Sequence, residues 1–127
     1  MPILVATPIY AGALALLFLY LSARVIIYRR TKRLSVGDEG DRMLLKRMRV
    51  QANCAEYAPF GILLLALIEL QSAPIWVLHG LGLMLLVGRI AHAYGMSSHP
   101  QDYRFRTIGM VLTLLMLAFS ALKLLVF

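Results

Sequence analysis

A short stretch in the middle of the chain carries four polar side chains that could bind a charged ligand: Arg49, Asn53, Glu56 and Tyr57. Successive residues of an α-helix lie about 100° apart, so these side chains would project within a sector roughly 100° wide. Gln51 and Cys54 would point elsewhere. An arginine binds a carboxylate through its planar fork, whereas a glutamate and an asparagine can hold an ammonium group or peptide amides. The pattern therefore predicts a binding face for a zwitterionic ligand with several carboxylates.

Further side chains could complete this face: Arg24, Arg89, His92, Arg104 and Arg106. Arg89 and His92 are three positions apart and would share one face of a helix. Arg104 and Arg106 are two positions apart and cannot point in one direction. Each residue lies near the end of an apolar segment, so we expect the group to converge on one end of the molecule.

A structural explanation of the same residues stays open. Arginines at the ends of membrane helices can extend their side chains to the surface, and a histidine can fill a core position. Arg49 and Glu56 could belong to a network that holds helices together, with Asn53 as an interhelical link. A charge near the centre of a bilayer costs at least about 2.5–3.5 kcal/mol on the insertion scale, so we interpret such residues as functional candidates.

The elements that must position these residues are strongly apolar. The chain has 127 residues, of which 61% are hydrophobic and 15% charged, whereas a soluble domain is closer to half apolar and a quarter charged. About twenty helical residues cross the hydrocarbon layer. Four segments reach that length, at about 3–28, 43–71, 74–96 and 105–127. We therefore predict an all-α fold, a single membrane domain built as a four-helix bundle.

The basic residues predict how the bundle lies in the membrane. Eight of the thirteen Lys and Arg residues lie between Arg29 and Arg49. The positive-inside rule makes this loop and the loop before the fourth segment cytoplasmic, with both termini external. The basic loop would meet anionic lipid headgroups or anionic ligands. It lacks a nucleic-acid-binding motif, so we expect no nucleic-acid partner.

Individual residues of the sequence also bear on the helix boundaries, on disulfide formation and on metal binding. Asp41 is a plausible N-cap for the second helix, and Pro74 suits the start of the third. The single cysteine, Cys54, excludes an internal disulfide and a cysteine-based zinc site. The loop carboxylates lack a regular ligand spacing, so we expect no metal.

Three motifs resemble the MAPEG family, the membrane-associated proteins in eicosanoid and glutathione metabolism. The segment RVQANCAEYAP, from Arg49 to Pro59, is similar to the second-helix signature of leukotriene-forming and microsomal glutathione transferases, with the pattern R-x-Q-x-N-x-x-E-Y-x-P. The segment GRIAH, which ends at His92, resembles the third helix of the prostaglandin E synthase branch. The segment YRFRT, which ends at Thr107, resembles the start of the family's fourth helix.

The resemblance implies a homotrimer that binds glutathione as co-substrate between helices of neighbouring subunits. It implies that an arginine at the start of the fourth helix is catalytic and faces the glutathione sulfur. Arg106 is our choice because Arg-Thr before the apolar segment fits the family's Arg-Ser step, and Arg104 is the alternate. His92 stands where some relatives have a tyrosine, so eicosanoid specificity does not follow. The implied glutathione contacts are Arg24, Arg49, Gln51, Asn53, Glu56, Tyr57, Arg89 and His92.

The function implied is that of a glutathione transferase in a bacterial inner membrane. Its partners would be lipophilic electrophiles and, through a peroxidase activity, lipid hydroperoxides. A non-catalytic scaffold that binds lipid or glutathione stays open, although the scaffold branch of the family loses contacts that this chain retains. A small proton-coupled multidrug exporter is a further alternative. Such an exporter is expected to carry a carboxylate in its first helix, and the first apolar segment here has none.

Overall fold

The computed structural model describes residues 3–126, and its secondary structure consists of four α-helices. The predicted all-α fold with four spans is confirmed, because each helix is long and apolar enough to cross a membrane. No strand occurs within residues 3–126. The predicted end of the fourth span, Phe127, lies outside the described residues. The helices are α1 (Ala6–Lys32), α2 (Arg42–Leu70), α3 (Ile75–Ser97) and α4 (Tyr103–Val126).

The outer surface of the bundle is apolar, as expected for a protein that lies in lipid. Large aliphatic side chains point outward along α1 and α4, where Leu16 is 70% exposed and Leu122 is 58% exposed. Soluble monomers rarely expose contiguous apolar surface of this extent. The chain is therefore a multi-pass membrane protein.

The helix that precedes the basic loop is longer than the apolar segment predicts. It continues through the basic residues to Lys32, and Arg33 ends it in a left-handed conformation with φ 57°. Cations in a last helical turn interact favourably with the carbonyl end of the helix dipole. The helix therefore extends four residues beyond position 28, where the predicted span ends, and its last turn contains three basic residues.

The start of α2 is fixed by Asp41, as the sequence predicts. Its carboxylate accepts a hydrogen bond from the backbone N–H of Leu44 at 3.1 Å and another from the Tyr28 hydroxyl at 2.9 Å. The Leu44 N–H is the main reason why the pKa of Asp41 lies below its usual value. This cap also links the end of α1 to the start of α2.

The opposite end of α1 is capped by a distant carboxylate that the sequence analysis did not identify. Val5, the residue before the helix, has no side-chain cap of its own. Glu69 Oε2 accepts hydrogen bonds from the backbone N–H groups of Val5 and Ala6, and its Oε1 accepts one from Thr7, each at 2.8 Å. The last turn of α2 thus satisfies the free N–H groups of α1, which lipid could not do.

The four helices are arranged around a central pair, α2 and α3. α1 packs against both members of this pair, and α4 also packs against both. Within the described residues, α1 and α4 do not touch each other. The bundle therefore has two opposite sides, one formed by α1 and the other by α4.

The packing of α3 against α4 depends on glycines that bring the two backbones into contact. A Cβ atom added to Gly109 would lie 2.3 Å from the backbone nitrogen of His92 and 2.5 Å from the carbonyl oxygen of Gly88. One added to Gly95 would lie 2.3 Å from the backbone nitrogen of Arg106. Small residues are a common means of close helix packing in membranes. Here they fix the position of the polar residues of α3 relative to those of α4.

Candidate functional site

A pocket of about 540 Å³ opens on the α4 side of the bundle, between α2, α3 and α4. Its polar lining includes Asn53 from α2, His92 from α3 and Arg106 from α4, and two hydroxyl side chains of α4 also line it. Met110 and Leu114 add an apolar wall that continues along α4. The volume is within the range of small-molecule sites, and polar groups converge on an otherwise apolar surface. Three predicted site residues from three different helices therefore line one pocket.

Arg89 lies behind this pocket and is only 2% exposed. Its Nε donates to Thr113 Oγ1 at 3.0 Å, and its Nη1 donates to the backbone oxygen of Asn53 at 3.2 Å and to the side-chain oxygen of the same residue. Its Nη2 donates to the sulfur of Met110 at 3.4 Å. The guanidinium carbon also lies 5.2 Å from the centre of the Tyr57 ring.

Every acceptor of Arg89 is neutral. Within residues 3–126, no carboxylate forms an ion pair with this guanidinium. A buried charge is strongly unfavourable without a counterion and a full set of hydrogen bonds. The arrangement therefore favours a negatively charged ligand in the pocket beside it.

The two arginines at the start of α4 occupy different environments. Arg106 lies at the pocket, where its Nη1 donates to Gln101 Oε1 at 2.9 Å. The backbone N–H of Arg106 donates to the carbonyl of Asp102 at 3.0 Å. Arg104 is directed away, with 88% of its side chain exposed and its Nε 3.9 Å from Asp102. Of the two candidates, Arg106 is the one that lines the pocket.

The remaining residues of the predicted α2 face are not among those that line this pocket. Tyr57 is half-buried against Arg89, whereas Arg49 and Glu56 are exposed. The structural network that could join Arg49 to Glu56 does not form among the described residues. Asn53 does link two helices, because it accepts hydrogen bonds from Arg89.

Two predicted site residues, Arg24 and Gln51, lie on the α1 side. Arg24 Nη1 donates to Ser97 Oγ at 2.8 Å, and Gln51 Nε2 donates to Ser22 Oγ at 3.4 Å. Because α1 and α4 do not touch in the described part of the chain, these side chains lie apart from the pocket at Arg106. The predicted set is thus divided between opposite sides of one chain. Cys54, which the sequence places off the binding face, is buried between α1 and α2.

Two residues of α4 that support the pocket were not predicted from the sequence. Met110 and Thr113 contact Arg89, and they follow Arg106 by four and seven positions. Such spacing places all three on one helix face. The signal was therefore present in the sequence, but an apolar residue and a threonine in an apolar segment do not by themselves indicate a site.

Comparison with known proteins identifies a family and two similar relatives. The family model described as "MAPEG family" matches residues 7–126. Inner membrane protein YecN of Escherichia coli strain K12 is 36% identical over 105 residues, which is 83% of this chain and 79% of that protein. YecN of Escherichia coli O6:H1 strain CFT073 gives the same values. No solved structure matches the chain significantly.

Proposed function

The chain belongs to the MAPEG family, and from this membership we propose that it is a membrane-bound glutathione transferase. It conjugates the thiolate of glutathione to lipophilic electrophiles. The observation that carries the proposal is the pocket lined by Asn53, His92 and Arg106, with the buried cation of Arg89 behind it. Glutathione has two carboxylates, an ammonium group and a thiol, and thus supplies the negative charge that this pocket lacks.

The proposed binding site uses residues from two subunits of a homotrimer. The α2 face contributes Arg49, Asn53, Glu56 and Tyr57, and α3 contributes Arg89 and His92. Arg24 and Gln51 lie on the opposite side of the same chain. If they also contact glutathione, a neighbouring subunit must present them. The exposed Arg49 and Glu56 then have a partner in the assembly rather than in their own chain.

In the proposed mechanism, Arg106 stabilises the thiolate. A free thiol of this kind has a pKa of about 8.5, so little of it is ionised at neutral pH. A guanidinium beside the sulfur favours the anion, whereas Arg106 cannot itself accept a proton at its own pKa. The proton therefore leaves to water. The sulfur then forms a bond to an electrophilic carbon, whose leaving group departs with its electron pair.

A peroxidase reaction would use the same thiolate. The sulfur attacks the distal oxygen of a lipid hydroperoxide, and the O–O bond breaks to release the lipid alcohol after protonation. A second glutathione then attacks the oxidised sulfur, which gives glutathione disulfide and water. The apolar wall at Met110 and Leu114 is a suitable surface for the lipid chain of either substrate class.

The proposal predicts different effects for the two arginines. Arg106→Ala should reduce turnover by at least about tenfold, since one unit of thiol pKa changes the ionised fraction by about that factor near neutral pH. Glutathione affinity should change little, because other residues bind the carboxylates. The thiolate is followed by its ultraviolet absorbance on addition of glutathione, and turnover by conjugation to a chlorinated nitroaromatic compound.

Arg104→Ala is the matched control. It removes the same charge two positions away from Arg106, and the Arg104 side chain is 88% exposed. It should leave both signals near the wild-type values. Full turnover in both variants would contradict the proposed mechanism. Absence of glutathione binding in calorimetry would instead favour a non-catalytic lipid-binding scaffold. The apolar groove of about 280 Å³ between α1 and α2 would suit that role.

We further propose that the protein lies in the bacterial inner membrane with its basic loops in the cytoplasm. The location is supported by the name of the relative YecN. The orientation is supported by the concentration of Lys and Arg at one end of the bundle, between Arg29 and Arg49. Both termini would then be external. Cytoplasmic glutathione would reach the pocket through the end of the bundle where α4 begins.

A further inference from the structure

A second pocket, which we call the basic pocket, opens at the start of α2. The connection between α3 and α4 forms its other side. Its volume is about 480 Å³. Arg42, Lys46 and Arg49 supply its charge, while Met43, Leu45 and Met96 supply apolar surface. The proposed transferase site shares only Arg49 with it and assigns no role to Arg42 or Lys46.

The three cations of the basic pocket form one row along α2. Their spacings of four and three residues place them on one helix face, over an axial length of about 10 Å. Lys46 Nζ donates to the carbonyl of Ser98 at 2.6 Å and lies 3.4 Å from His99 Nδ1. This contact holds the α3–α4 connection against α2.

No carboxylate neutralises this row within residues 3–126. None of the residues that line the pocket is acidic. The nearby Asp41 already accepts hydrogen bonds from Tyr28 and Leu44. The only ion pair in the described part of the chain joins Arg104 to Asp102. The charges of Arg42 and Arg49 therefore have no counterion among residues 3–126.

The position of the pocket restricts the ligand that could supply the missing charge. It lies at the ends of two spans, where the hydrocarbon layer meets water. Its apolar residues continue toward lipid, and Leu45 is 43% exposed. Basic pockets between membrane helices at such a position suit anionic lipid headgroups. A water-soluble anion would leave this apolar side uncovered.

We propose that the basic pocket binds the phosphodiester headgroup of an anionic phospholipid, whose acyl chains lie along Met43, Leu45 and Met96. This inference does not depend on the transferase reaction. Lipid binding is measured without turnover, and Arg106 is not part of the basic pocket.

The test is lipid retention by the purified full-length protein, measured by native mass spectrometry after mixing with phosphatidylglycerol or phosphatidylcholine. The wild-type protein should retain phosphatidylglycerol in preference, and added salt should weaken retention by screening. Arg42→Gln should reduce the preference about fivefold, as expected for loss of one cation near the lipid surface. Arg42 makes no hydrogen bond or ion pair among the described residues, so this change should leave the fold intact.

The double variant Arg42→Gln/Lys46→Gln should abolish the preference. Arg30→Gln/Lys32→Gln is the matched control, since it removes one Arg and one Lys from exposed positions at the same end of the bundle. It should retain phosphatidylglycerol like the wild-type protein. Equal losses in both double variants would show nonspecific attraction and overturn the proposal. Displacement of the lipid by inorganic phosphate at similar concentration would overturn it as well, because the pocket would then serve a soluble anion.

Discussion

At the scale of single residues, Arg89 is a buried cation that donates hydrogen bonds to two neighbouring helices. Its guanidinium is held by an asparagine, a threonine and a methionine from two neighbouring helices, none of which carries charge. An arginine held in this way keeps its full positive charge available to a ligand. A carboxylate partner in its own chain would remove that attraction.

This arrangement predicts the effect of removing one acceptor. Thr113→Val keeps the shape of the side chain but leaves Arg89 Nε without an oxygen partner. The loss of a buried hydrogen bond to a charged group should reduce the free energy of unfolding by about 1–3 kcal/mol. Thermal unfolding in detergent would measure this change. Thr113→Ser should restore most of the stability because it restores the acceptor.

Thr31→Val is the control for this prediction, since Thr31 is exposed near the end of α1. It should unfold at the wild-type temperature. Equal stability of Thr113→Val and the wild-type protein would show that Arg89 does not require Thr113.

The sequence predicted the polar residues that line the pocket better than the residues that accept hydrogen bonds from its arginines. Asn53, His92 and Arg106 are polar groups in apolar surroundings, and such residues can be recognised from sequence alone. Thr113, which accepts a hydrogen bond from Arg89, and Gln101, which accepts one from Arg106, are ordinary residues whose roles become visible only in the folded chain. Helix periodicity places Thr113 on the same face of α4 as Arg106, but it does not show which helix that face contacts.

At the scale of helices, the contact between α3 and α4 determines the geometry of the pocket. His92 and Arg106 lie on different helices, and the glycine at position 109 allows the two backbones to touch beside them. Hydropathy predicted the four spans because each contains a long apolar run. It could not predict that α1 and α4 lie apart, since the choice of neighbours depends on small residues and on local fit.

Gly109→Ala tests this contact directly. The added methyl group would meet the backbone of His92 at 2.3 Å, and a backbone cannot rotate away as a side chain can. We expect a loss of about 1–3 kcal/mol in stability from overpacking. Glutathione binding should weaken too, because the two sides of the pocket would separate. Thermal unfolding and calorimetry measure the two effects.

Gly80→Ala provides the matched control within α3, since a methyl group there would meet nothing within 4 Å. It should leave stability unchanged or raise it slightly, because alanine has the higher helix propensity. A similar loss in both variants would assign the effect to helix propensity or insertion rather than to the contact between α3 and α4.

At the scale of the whole molecule, the predicted residues are divided between two sides of the bundle, which restricts how subunits could pack in the proposed homotrimer. Arg106 lies on the α4 side, whereas Arg24 lies on the α1 side. A ring of identical subunits can bring the α1 side of one chain to the α4 side of the next. One chain then contributes to two separate sites.

Mixed oligomers test this arrangement. Arg24→Ala and Arg106→Ala should each be weakly active alone, but coexpression should restore activity at about a quarter of the sites by random assembly. Those are the sites that receive an intact Arg24 from one subunit and an intact Arg106 from its neighbour. Differently tagged chains allow the mixed oligomer to be purified and its turnover measured.

Coexpression of His92→Ala with Arg106→Ala is the control, because both residues line the same pocket of one chain. Every site in that mixture lacks one of them, so activity should not recover. Recovery in the control, or none in the first mixture, would contradict a site shared between subunits.

The carboxylate that caps α1 has a consequence for how the protein is made. Glu69 follows the three N–H groups that it binds by 62 to 64 positions. During synthesis, α1 therefore leaves the ribosome long before its cap exists, and its first turn must stay bonded to water or to the insertion machinery. Those amides can enter lipid with their hydrogen bonds satisfied only when the end of α2 has crossed to the same side. We therefore expect the hairpin of α1 and α2, rather than α1 alone, to be the smallest unit that is released into the bilayer.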